Sequence, residues 1–471
     1  MVNTVPELIT EASRRFAERE AIRTESGAIR FGELESEIAG FAARLTNAGL
    51  AGQRVGLLLP NLPGFPATLY GLLRAGASAL LLNPMYSRRE VAEYLANAGV
   101  GTEMTVSSLQ QLIPTGIHSL VLDGPMASQD TDQGQSAKQL AGEAVVIYTS
   151  ATDGWARGAG LSHRNLRANA LSTVEAMQLV PADRVVAALP LSHAFGLTVT
   201  LNAPLSVGAA VIPVERFHPL RVLDLFEAEQ PTVFCGVPAM YLALVAAAER
   251  RGVPRHNLRV AICGGAPLPV AAVAHRWEEV FGLPLREGYG ITEAAPVCLF
   301  NREDRPNRPG TMGLPFPGVE VSIRDEAGDP VPHGEVGELC IAGANVFGGY
   351  IGENGRNPRD FWGDFLRTGD LASLEPDGAV RFRGFHKIMF TRSGFNIYPR
   401  ELARVLEEDP RIARVEVRSV PDFTKENEMA LVVHPSPGVT LTEDEIRQLC
   451  RERLAAYKQP GTIIIQTSET S

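Results

Sequence analysis

Residues 146–165 read Val-Ile-Tyr-Thr-Ser-Ala-Thr-Asp-Gly-Trp-Ala-Arg-Gly-Ala-Gly-Leu-Ser-His-Arg-Asn. A run of β-branched and apolar residues enters a loop rich in hydroxyls and glycine, with one cation, Arg157. Leu161–Asn165 then opens a helix. Backbone N–H and hydroxyl groups on such a loop can cradle phosphate oxygens. A plain surface turn has the same composition, so the stretch needs support from elsewhere in the chain. It is not a Walker loop, because GxxxxGK[ST] is absent.

Outward from this loop, short apolar runs alternate with amphipathic stretches. Arg54–Leu59, Ala77–Leu82, Glu143–Ile147 and Arg259–Ile262 read as strands buried on both faces, and Arg89–Ala98 and Leu220–Gln230 read as helices. That alternation predicts an α/β fold with parallel sheets. From about Arg308, Gly, Pro and short alternating strands indicate a β-rich subdomain. From about Gly384, a strand-like start, a helix Pro399–Glu408, strands Ala413–Val420 and Met429–Val433, and a helix Thr442–Ala456 predict a small C-terminal α+β domain. The expected division is 1–383 for a large N-terminal domain and 384–471 for a small mobile one.

Composition narrows the function. The 471 residues carry 44 basic and 54 acidic side chains, a net charge of -10, which argues against a nucleic-acid or anionic-membrane binder. With 45% hydrophobic residues the chain can bury a large core. Five scattered cysteines without CxxC spacing read as reduced, packed thiols of a cytoplasmic protein. The N-terminus reads as an amphipathic helix, not a signal peptide. Val185–Val214 holds no charged residue, but Pro190, His193, Asn202 and Pro204 interrupt it, so it reads as buried core and no membrane span is expected. Only four of the basic residues are lysines: Lys138, Lys387, Lys425 and Lys458.

Further motifs make the pattern specific. Leu189-Pro-Leu-Ser-His-Ala-Phe-Gly196, Gly264-Gly-Ala-Pro-Leu268, Tyr289-Gly-Ile-Thr-Glu293, Thr368-Gly-Asp-Leu371 and Gly394-Phe-Asn-Ile-Tyr-Pro-Arg-Glu401 follow the 148–158 loop in order. In that order and across nearly the whole chain, they resemble the acyl-adenylate-forming superfamily of acyl-CoA synthetases, adenylation domains and luciferases. The resemblance implies attack of a carboxylate on the α-phosphate of ATP, loss of pyrophosphate, then thiol attack on the acyl-adenylate. Catalysis of that kind is mainly positioning and electrostatic stabilisation.

By resemblance, Thr149, Ser150, Thr152 and Arg157 would serve the phosphates, and Gly264, Gly265, Ala266 and Tyr289 would flank adenine. Asp370 would take the ribose hydroxyls, Glu293 would hold Mg²⁺, and Thr292 would touch the phosphate. His193 would sit at the acyl pocket near the thiol, and Lys387 would occupy the hinge. The implied ligands are ATP or AMP, Mg²⁺, and CoA or phosphopantetheine. The implied partners are a small-molecule carboxylate or acyl thioester, with an acyl carrier protein as the alternative thiol donor. A turn role for Asp370 and a core role for His193 are the plain alternatives.

Departures from the family pattern cluster. The phosphate loop has Ala151 for Gly, Asp153 for Thr, Ala156 for Pro and Arg157 for Lys. A carboxylate about 4 Å from a phosphate charge would cost roughly 4 kcal/mol at an effective dielectric near 20. In the hinge motif, Phe385 stands for an arginine and Ile388 for an acid. The family's tail Gly-Lys pair does not follow Thr462–Ile465, and Lys458 belongs to the segment before it. Three expectations follow: an acid–thiol ligase with impaired adenylation, acting on an apolar acyl or aryl acid; an ATP-independent member limited to acyl transfer from a thioester or adenylate; or a non-catalytic binding or scaffold protein.

Overall fold

The computed structural model describes residues 2–24, 27–122, 142–149, 155–353, 355–386, 389–422 and 426–466. Among them, the apolar runs form strands close to the predicted bounds: Arg54–Leu58, Ser78–Leu81, Glu143–Thr149 and Val260–Cys263. They lie in two α/β sheets. One has six strands, five of them parallel, ending in the antiparallel pair Glu143–Thr149 and Arg157–Ser162. The other has nine strands, with a parallel centre from Glu20–Thr24 to Leu285–Gly290. A third, antiparallel sheet of five strands spans Val319–Phe385. The expected parallel α/β body with a β-rich subdomain and a smaller C-terminal α+β unit is what the chain forms.

The charge-free stretch resolves as the strand Arg184–Ala187, short helical turns between Ala194 and Ser206, and the strand Ala210–Pro213. Its apolar side chains are core; Val185, Leu197, Leu201 and Leu205 are fully buried. No described helix is long and apolar enough to cross a membrane. All five cysteines are buried thiols.

Beyond Phe390 a separate buried cluster forms around Ile397, Leu402, Leu406, Met429, Leu431, Val433 and Cys450. Its elements are the hairpin Phe390–Arg392 with Phe395–Ile397, the helices Pro399–Glu407 and Glu443–Arg453, and the three-stranded sheet of Ile412–Asp422, Glu426–Pro435 and Thr462–Ile465. The predicted helix to Ala456 ends three residues early. The Ala456 N–H donates to the Met85 carbonyl at 3.0 Å instead of continuing the helix. Around that bond the C-terminal segment docks on the helix Arg88–Asn97. Ser87 Oγ lies 3.2 Å from the Arg453 carbonyl oxygen, and Arg89 pairs with Glu408 at 2.8 Å. Lys458 is 1% exposed and reaches Glu90 Oε1 at 2.8 Å and Glu401 Oε1 at 2.6 Å. Arg404 stacks on Trp155, in the 148–158 loop, at 3.7 Å from the ring centroid.

Candidate active site

Parallel α/β sheets bind ligands beyond the carboxyl ends of their strands. Here Val260–Cys263 runs into Gly264–Ala266, and the adjacent strand Leu285–Gly290 carries Tyr289 and leads to the turn Thr292–Ala294. From the six-stranded sheet, the antiparallel register sets Thr149 opposite Arg157. Asp370 arrives from the antiparallel strand Phe365–Leu374. His193 caps the helical turn after the strand Arg184–Ala187. All of these residues line one cavity of about 450 Å³. Met389, Thr391, Gly394, Phe395, Asn396, Tyr398 and Tyr457 of the C-terminal segment close it. Ser150, Thr152 and Lys387, with the departures Ala151, Asp153 and Ile388, lie outside the described residues.

Motif glycines keep the walls close. A Cβ on Gly290 would stand 2.4 Å from the Pro296 carbonyl oxygen, and one on Gly196 would stand 2.2 Å from that of Pro190. Neither position admits a side chain without moving the backbone that carries Glu293 or His193. A Cβ on Gly264 would press to 3.1 Å from the Gly288 oxygen and 3.2 Å from the Phe195 ring. The bare backbone there lets the turn pack closely against Gly288 and Phe195.

Tyr289 Oη donates to Asp370 Oδ2 at 2.6 Å, and Thr368 Oγ1 accepts the Asp370 N–H at 3.1 Å. The Asp370 carboxylate is thus fixed, 7% exposed, and suited to accept paired hydroxyls. Phe385 lies opposite Asp370 across the strand pair and lines the cavity, so a phenyl group stands where the family resemblance led one to expect a cation. Glu293 Oε1 accepts from Tyr350 Oη at 2.6 Å and from Thr149 Oγ1 at 3.3 Å. One carboxylate beside the Thr149 and Tyr350 hydroxyls fits Mg²⁺, which takes few protein ligands and completes its shell with phosphates and water.

His193 Nδ1 accepts the Phe195 N–H at 3.2 Å. The ring is exposed where it opens onto the cavity, and desolvation by the protein around it pushes its pKa below the usual imidazole value, to about 4. At neutral pH it is therefore an uncharged imidazole with Nδ1 engaged.

Arg157 has acidic partners within the chain. Its guanidinium forks onto Asp360 at 3.0 and 2.8 Å, meets Glu353 at 2.7 Å, and stacks on the Tyr350 ring at 3.5 Å. Burial opposes its charge, but these carboxylates more than reverse that and raise its pKa. The cation expected for phosphate is committed to acids from the chain itself. Sequence reading missed Tyr350, Asp360 and Glu353, because Asp360 lies 203 residues from Arg157 and no spacing links them.

Glu287 was also missed. It is 8% exposed on the strand carrying Tyr289, and burial lifts its pKa to about 7 despite backbone donation from Gly310 and Leu268. A carboxyl raised in the fold lends stability below its unfolded pKa and loses it as pH climbs through the folded value. Glu287→Gln should therefore unfold like the parent below pH 5 and be more stable by up to about 3 kcal/mol at pH 8. Urea midpoints at the two pH values check this, and parallel pH profiles would contradict it.

Comparison with known proteins places this fold in a family. The chain belongs to the AMP-binding enzyme family, whose pattern matches residues 9–351. It is an enzyme of that ligase family with an acyl-CoA-synthetase-like fold. It is 30% identical over 508 residues to a long-chain-fatty-acid–CoA ligase of Salmonella typhimurium, covering 97% of this chain and 90% of that one. It is 32% identical over 448 residues to a feruloyl-CoA synthase of Amycolatopsis, covering 94% and 91%. Among solved structures, ATP-bound MatB from Rhodopseudomonas palustris matches at 28% identity and TM-score 0.72, covering 98% and 95%. The o-succinylbenzoate CoA synthetase of Bacillus subtilis matches in fold, with TM-score 0.86 at 24% identity, covering 98% and 95%.

Proposed function

We propose that the protein is an AMP-forming acid–thiol ligase for an apolar acyl or aryl carboxylate, with adenylation weaker than in its relatives. The observation that carries this reading is one cavity holding the glycine turn, Asp370, Glu293 and His193, with an apolar wall that includes Met177, Val199, Val297 and Phe316. Gly264–Ala266 and Tyr289 would flank adenine, Asp370 would hold the ribose hydroxyls, and Thr292 and Thr149 would face the phosphates. Glu293 would hold Mg²⁺, which supplies charge neutralisation at the phosphates. Neutral His193 would border the acyl group and the incoming thiol of CoA or phosphopantetheine, whether free or on a carrier protein. Residues 384–471, with Lys387 at their start, would act as a small mobile domain, and the buried thiols support a cytoplasmic setting.

Weakened adenylation is supported by Arg157, whose donors Asp360 and Glu353 occupy, and by Phe385 beside Asp370. The same two features favour a second reading, an ATP-independent member that transfers acyl groups from a thioester or a preformed adenylate. ATP–pyrophosphate exchange across aromatic and aliphatic acids separates the two. Slow exchange with an apolar acid is expected. No exchange together with turnover of an acyl-adenylate would favour the second reading, and silence in both would leave a non-catalytic protein.

A further inference from the structure

We propose that Arg157 and Tyr350 are positioning residues that orient the Glu293 carboxylate, and that Arg157 is not a phosphate ligand in this chain. The inference rests on Glu293 as the Mg²⁺ ligand.

The geometry is a continuous relay. Asp360 and Glu353 fix the plane of the Arg157 guanidinium. That plane covers the Tyr350 ring, and the phenol at the ring's far end donates to Glu293 Oε1 at 2.6 Å. A donor to a carboxylate at that distance forms a strong, charge-assisted bond. The backbone holds the same register. Tyr350 bridges Ala159, the Ile351 N–H donates to the Gly158 carbonyl at 2.8 Å, and the Phe347 N–H donates to the Glu293 carbonyl at 2.9 Å. Residues 347–351 are therefore tied both to the strand of Arg157 and to the backbone of Glu293. With the segment secured by these backbone bonds, the phenol is left to set the direction of one carboxylate.

Arginine suits this task and lysine does not. A planar fork can grip two acids and stack on a ring together, whereas an ammonium group is a point charge without a stacking face. A phosphate seeking Arg157 would find three of its five N–H donors already held by these acids. The departure from lysine thus accompanies a change of role, from contacting the nucleotide to holding the residue that aims a metal ligand.

Mn²⁺ binding to the full chain in the presence of AMP, read by electron paramagnetic resonance, tests the relay without turnover. Tyr350→Phe keeps the ring under Arg157 and removes only the donor. It should weaken Mn²⁺ binding about tenfold, the lower end of the effect typical for partners of metal ligands, with an unchanged thermal midpoint. Arg157→Lys should also weaken it, and Glu293→Gln should abolish it. Mn²⁺ binding unchanged in Tyr350→Phe while Glu293→Gln loses it would overturn the relay and leave the metal reading standing. Tighter nucleotide binding in Arg157→Lys would overturn it too, by showing a phosphate role. Binding in Glu293→Gln equal to the parent, or none in the parent, would remove the metal reading and the relay with it. If Arg157→Lys does not fold, Tyr350→Phe decides alone.

Discussion

Replacing Lys458 with methionine is expected to destabilise the fold by about 3–5 kcal/mol, the usual cost of removing one partner from a buried ion pair. Lys458 Nζ lies between Glu90 Oε1 and Glu401 Oε1, all three residues buried. Burial alone would lower the lysine pKa, but Tyr457, Glu401 and Glu90 hold it well above the ordinary value, so the amine stays charged. Ser87 satisfies the second oxygen of Glu90 through its N–H at 2.9 Å and its hydroxyl at 2.8 Å. Among the described residues, Glu401 Oε2 has no hydrogen-bond partner. Without the lysine, two carboxylates would face each other out of water, one on the large body and one on the C-terminal cluster. Adding Glu90→Gln and Glu401→Gln to Lys458→Met should recover most of the loss, because a neutral buried cluster costs far less than an unpaired charge. Urea unfolding followed by tryptophan fluorescence measures both. A midpoint unchanged in the single variant would contradict the buried triad.

Asp370→Ala should lower kcat/KM for ATP by about 10²–10⁴-fold, as expected if two hydrogen bonds to a charged acceptor, each worth about 1.5–3 kcal/mol, are lost. KM for the acid should move little if Asp370 holds the ribose hydroxyls as proposed. Tyr289→Phe should cost only a few-fold. Its phenol bonds to Asp370 Oδ2, and its loss leaves the carboxylate in place with that oxygen open to ribose. Steady-state kinetics with each substrate varied separates the two ends. Equal losses for ATP and acid, with a lowered thermal midpoint, would instead mark Asp370 as a structural turn residue.

Much of this was legible in the chain because strands buried on both faces leave unbroken Val, Ile and Leu runs. Arg54–Leu58 and Ser78–Leu81 lie within a residue of their predicted limits. The helix Pro399–Glu407 shows its start through a proline in its first turn. The candidate site was legible where motifs sit at the ends of paired strands, as Gly264–Ala266 and Tyr289–Glu293 do, and Thr368–Asp370 joins them in the same cavity from a different sheet. What the sequence hid were contacts between side chains far apart in it. Lys458 looked like an incidental member of a Tyr-Lys-Gln-Pro segment, yet Glu90, its partner, is 368 residues away. Arg157 looked free for phosphate because its acids come from a loop beyond the third sheet's second strand. Trp155 occupied a variable loop position, and nothing local pointed to Arg404 above it.

The central claim is that the cavity joins a carboxylate to a thiol at the expense of ATP. The full chain incubated with ATP, Mg²⁺, CoA and single acids from aromatic and aliphatic sets, with products read by mass spectrometry, tests it most directly. The account predicts equal amounts of AMP and an acyl-CoA from at least one apolar acid, with both lost in Glu293→Gln and Asp370→Ala. Folded protein that yields neither AMP nor thioester from any acid would contradict it.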